Sequence, residues 1–108
     1  MRVLFFFVTC GLCFLACKKE VEPLPVSLEK AAQIIIDTHT AEAALQSAYG
    51  TKKDSLAVVY YAQIYEVHGI DSTTFKALMQ ILRNDPDRLS EVYRAAFQEF
   101  EERPNAPK

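Results

Sequence analysis

The residues best suited to chemistry are two histidines and one carboxylate. His39 and Glu42 stand three apart, about one helical turn, and His68 follows in the next helical stretch. Imidazole and carboxylate are zinc ligands, and three such groups from two helices would leave a fourth position open. The His-x-x-Glu step stands without the fuller signatures of metal-binding helices. Two other readings of His39, Glu42, Gln46 and His68 stay open beside it. One is a polar network in the core, because a buried Glu42 must find His39, a tyrosine hydroxyl or an arginine to offset its desolvation. The other is a pocket for a partner. Tyr60, Tyr61 and Tyr65 form a second candidate set, either core-edge residues whose hydroxyls reach water or a buried acceptor, or the rim of a groove for a peptide or another subunit. Phe97 and Phe100 read as core.

Cys17 is the third reactive position. Arg2 is followed by about 14 mostly apolar residues, Val3 to Ala16, and then by this cysteine behind a small residue, the layout of a secretory leader. A membrane-spanning helix needs roughly 20 apolar residues, and this run ends at Lys18-Lys19-Glu20. Phe14-Leu15-Ala16-Cys17 resembles the lipobox of bacterial lipoproteins, which implies lipid on Cys17 and removal of residues 1–16. A plain cleaved leader and a short uncleaved anchor are the alternatives. Two of the three cysteines, Cys10 and Cys13, lie inside the leader, so no disulfide is expected.

Without the leader the chain holds 11 Lys and Arg against 14 Asp and Glu, a mildly acidic balance. It shows neither the basic face of a nucleic-acid binder nor the cationic cluster of an electrostatic membrane binder. It also lacks a Gly-rich phosphate loop, a Gly-x-Ser-x-Gly elbow and a well-spaced carboxylate pair, so no enzyme and no cofactor are expected.

The elements that must position these residues are helical throughout. Residues 17–26, with Pro23 and Pro25, read as a tether carrying the lipidated cysteine. Residues 27–103 read as the helical domain and residues 104–108 as a frayed tail. Ser27 is placed to cap a first helix reaching about Ser47, whose second half points His39, Glu42 and Gln46 inward. Tyr49 to Lys53 reads as a loop, with Asp54 or Ser55 capping a second helix to His68. That helix carries the widest apolar arc, which predicts a central position. Gly69 is placed as its left-handed cap. Asp71 or Ser72 opens a third helix to about Asn84, and Asp85 with Pro86 at the first helical position opens a fourth to about Arg103. The fold expected is all-α, a small bundle of four short helices behind a lipoprotein signal peptide and tether.

His39-Thr40-Ala41-Glu42, Tyr60-Tyr61, His68-Gly69-Ile70, Phe75 and Pro86-x-x-Leu89-x-x-x-Tyr93 together resemble a family of small bacterial lipoproteins whose helical domain has no assigned function. Departures are Thr40, where that family often has Leu, and Gln80-Ile81, where it often has an aromatic pair. The resemblance spans roughly Leu28 to Phe100 and implies a lipoprotein with no established activity. The expectation is a non-catalytic adaptor or accessory subunit of the cell envelope. It would be anchored in the outer membrane through Cys17, face the periplasm, bind an envelope protein and bind no nucleic acid. The alternative is a small ligand- or metal-binding module built on His39, Glu42 and His68.

Overall fold

The computed structural model describes residues 21–103; the leader, Cys17 and residues 104–108 lie outside the described residues. Four helices follow in order: α1 Leu28–Leu45, α2 Gly50–His68, α3 Ser72–Asn84 and α4 Pro86–Glu102. Among the described residues there is no strand.

Local chemistry sets most of the helix ends. Ser27 is extended, and its Oγ accepts the Lys30 N–H at 3.2 Å. Asp71 accepts the Thr74 N–H at 2.7 Å, and one Asp85 oxygen accepts both the Asp87 and Arg88 N–H groups ahead of Pro86. Each cap satisfies amide donors that have no partner inside the helix. At the end of α2, Gly69 has φ +62°, a conformation that costs a side chain bearing Cβ. Its N–H donates to Glu66 O and the Ile70 N–H to Tyr65 O, the paired bonds of a Schellman turn.

The start of α2 differs from the sequence expectation. The helix begins at Gly50, five residues before Ser55, with Tyr49 as an N-cap that makes no side-chain bond. Thr51 to Asp54 are therefore helical, and the Ser55 hydroxyl donates back to Thr51 O at 3.0 Å instead of capping. Gly50, at φ +62°, turns the chain directly into the helix.

The core is a cluster of Ala31, Ile34 and Ile35 from α1, Ile64 from α2, Phe75, Leu78 and Leu82 from α3, and Val92 from α4. Here α1, not α2, is the central helix: it packs against both α2 and α4, while α3 packs against α4. The reason lies in side-chain size. Ala31 and Ala32 are essentially inaccessible, and such short side chains let neighbouring helices approach closely. The apolar arc of α2 is only partly used. Ile64 is buried, whereas Val67, on the same arc, is 75% exposed. Leu24 and Val26, the last apolar residues of the expected tether, pack against the core, so that segment is docked close to the domain.

The aromatic stripe of α4 also departs from expectation. Val92 and Ala96 are buried, but Phe97 is 63% exposed, Phe100 44% and Tyr93 43%. The stripe is wider than the groove it meets, and its flank is left outside.

Candidate functional site

The three candidate groups His39, Glu42 and His68 go to three different partners. His39, on α1, meets the Tyr93 hydroxyl of α4 through Nε2 at 2.7 Å, with the two rings 5.7 Å apart. Glu42, one turn further along α1, accepts a hydrogen bond from the Tyr61 hydroxyl of α2. His68, in the last turn of α2, is 7% exposed and lies 2.8 Å through Nε2 from Asp37 Oδ2. Gln46 is exposed and stands just after α1 as its C-cap, its N–H donating to Ala43 O.

These contacts correct the expectation of inward-facing polar groups. His39, Glu42 and Gln46 are all exposed, because the second half of α1 turns their arc toward the seams with its neighbours. Tyrosine tips from α4 and α2 meet two of them there. Glu42 therefore keeps contact with water and needs no core network. Among the described residues, no three His, Cys, Asp or Glu side chains converge as a metal set would require.

The pairing does set the geometry of the bundle. Asp37 joined to His68 and Glu42 joined to Tyr61 fix α1 and α2 as antiparallel neighbours in one register. By helical spacing Asp37 falls on the polar side of α1 with Glu29, Lys30, Gln33 and Thr40. It becomes the partner of a buried histidine because the Schellman turn at Gly69 ends α2 with His68 facing α1.

The tyrosines do not form one groove. Tyr60 lines a cleft of about 270 Å³ between α1 and α2, together with Asp37, Ala41, Ala44, Ile64 and Val67. Tyr61 faces a different groove, of about 620 Å³, against α3. Tyr65 stacks at an angle on Phe75, 5.4 Å between rings, and Tyr61 meets the same ring edge-on at 5.6 Å. All three tyrosines are half-buried, as core-edge residues would be.

Partial burial pushes the Tyr61 hydroxyl up to about 12 from its ordinary 10, with the bond to Glu42 and that carboxylate's charge acting in the same direction. The folded state thus holds the Tyr61 proton more tightly than the unfolded state does. The resulting stabilisation is complete below pH 10 and declines as pH rises from about 10 through about 12. Urea denaturation across that range should show the native chain losing stability, with Tyr61→Phe lacking this part of the loss. Parallel curves for the two proteins would contradict the assignment.

Residues 25–105, which include all four helices and these polar pairs, match the family described as Domain of unknown function (DUF4296). The chain belongs to the DUF4296 family. Comparison with curated proteins finds no match, and comparison with solved structures finds none either. In this DUF4296 domain His39, Glu42 and His68 each tie one helix to another at the bundle's seams. Open on its surface are the aromatic flank of α4, the cleft beside Tyr60 and the groove beside Tyr61.

Proposed function

We propose that this DUF4296 chain is a lipid-anchored protein of the bacterial cell envelope whose helical domain is a non-catalytic adaptor for an envelope protein. Support for the anchor is the leader pattern ending in Leu15-Ala16-Cys17. Each buried methylene contributes about 0.8 kcal/mol, and two or more acyl chains on one cysteine hold a small domain stably at a bilayer. No helix among the described residues is long and apolar enough to cross a membrane. The docking of Leu24 and Val26 leaves few residues between Cys17 and the bundle, so an anchored domain works close to the lipid surface. The anchored chain faces the periplasm from the outer membrane, a placement supported by Glu20 and Glu22 forming no acidic block after the cysteine.

One observation carries the adaptor reading. Tyr93, Phe97 and Phe100 fall at i, i+4 and i+7 along α4 and are each more than two-fifths exposed. Aromatic side chains grouped on an open helix face mark a surface for another protein more often than chance exposure does. The experiment is recovery of partners from solubilised envelopes with the native chain and with Phe97→Glu/Phe100→Glu. The native chain is expected to hold a defined envelope protein, and the double variant to recover at least about tenfold less of it while melting normally. Equal recovery by both would remove α4 as the adaptor surface.

A further inference from the structure

The groove beside α3 has a composition unlike that of the polar seams. Its volume is about 620 Å³, within the range of roughly 300–1,000 Å³ common to small-molecule sites. Phe75 is buried beneath it, and Tyr61 and Met79 are half-buried along it, so the floor is aromatic and thioether surface. The two ring contacts on Phe75 fix the aromatic part of that floor.

Its rim is cationic. Lys76 and Arg83 line the groove, both are exposed, and neither has an ion-pair partner among the described residues. Seven residues apart on α3, their Cα atoms lie two turns or about 10 Å apart along one face. Side chains of this length can close on one anionic group between them, with Asn84 supplying a further polar contact at the end of the groove. A cationic ligand would be repelled by this rim. A neutral apolar ligand would cover the floor while leaving both charges unmatched.

We propose that the groove between α3 and Tyr61 binds a small amphipathic anion, its apolar body on Tyr61, Phe75 and Met79 and its acidic group between Lys76 and Arg83. The inference goes beyond the adaptor reading and does not depend on the lipid anchor. The apolar body has two possible sources, an alkyl chain such as a lipid releases and a flat aromatic acid. The shared chemistry is an anionic head on an apolar body, and the test separates the two.

The full chain, isolated from cells and held in lipid nanodiscs, is titrated calorimetrically with octanoate, 1-naphthoate and octyltrimethylammonium, with empty nanodiscs as the blank. At least one anion is expected to bind saturably with Kd below about 1 mM, and the cation at least about tenfold more weakly. Tighter binding of octanoate would identify the alkyl source, and of 1-naphthoate the aromatic one. Lys76→Glu/Arg83→Glu should weaken the better anion at least about tenfold, and the neutral pair Lys76→Gln/Arg83→Gln should fall between. Both positions are exposed, so thermal unfolding of the variants should match that of the native chain. Absence of saturable binding by either anion, equal binding of the cation, or native affinity in the charge-reversed pair would each overturn the proposal.

Discussion

Leu78→Ala should lower the unfolding free energy by about 3 kcal/mol, the middle of the range of roughly 2–5 for leucine truncation in a core. Leu78 is 0% exposed, projects from α3 into the cluster, and is one of the three largest side chains fully withdrawn from water, with Ile34 and Val92. Truncation removes apolar contact and leaves a space that three helices would have to close. The effect is large relative to the whole. A single-domain chain of this size has stability of about 5–15 kcal/mol, and small domains bury a limited share of their surface. Urea denaturation followed by helical circular dichroism measures it, with Met79→Ala as the comparison. Met79 is half-buried and should cost clearly less. A loss below about 1 kcal/mol for Leu78→Ala would mean that α3 does not close the core in the way described.

The second large effect concerns His68 and Asp37. His68 is buried on α2, whereas the Asp37 side chain is 43% exposed, so the two halves of the pair differ in what their loss leaves behind. Asp37→Ala strands a buried ring nitrogen, at a cost of about 1–3 kcal/mol. His68→Ala removes the ring and its packing but leaves a carboxylate that can turn to water, and should cost about 2–3 kcal/mol, mostly from lost contacts. Combined in a double-mutant cycle, the two should be less than additive, with a coupling of about 1 kcal/mol or more. That coupling is the signature of a tie between helices. Strict additivity, with both single variants near native stability, would show that the pair does not hold α1 to α2.

The helix boundaries were legible in the sequence wherever they depend on adjacent residues. Ser27, Asp71 and Asp85 cap because a short polar side chain reaches the amides two or three positions on. Gly69 ends α2 because, having no Cβ, it takes φ +62° without the backbone strain that a side chain would add there. The four-helix, all-α architecture followed from those signals and from the spacing of apolar residues. The start of α2 did not, since its N-cap Tyr49 makes no side-chain bond and leaves no chemical mark.

The arrangement between helices was less legible. Width of apolar arc favoured α2 as the centre, but the close approach allowed by Ala31 and Ala32 gives that place to α1. The same limit applies to the candidate site. His39, Glu42 and His68 were identifiable as the reactive residues. Their partners Tyr93, Tyr61 and Asp37 depend on which seam each faces, a property of crossing and register that spacing along one helix does not encode. Phe97 and Phe100 belong to a regular amphipathic stripe, and nothing in that stripe states that the neighbouring surface stops short of them.

The proposed role depends most on how the start of the chain is processed. Mass spectrometry of the product isolated from its native membrane should find a chain beginning at Cys17, heavier than residues 17–108 alone by two or three acyl chains and their glycerol link. A free thiol at Cys17, or residues 1–16 still attached, would contradict it.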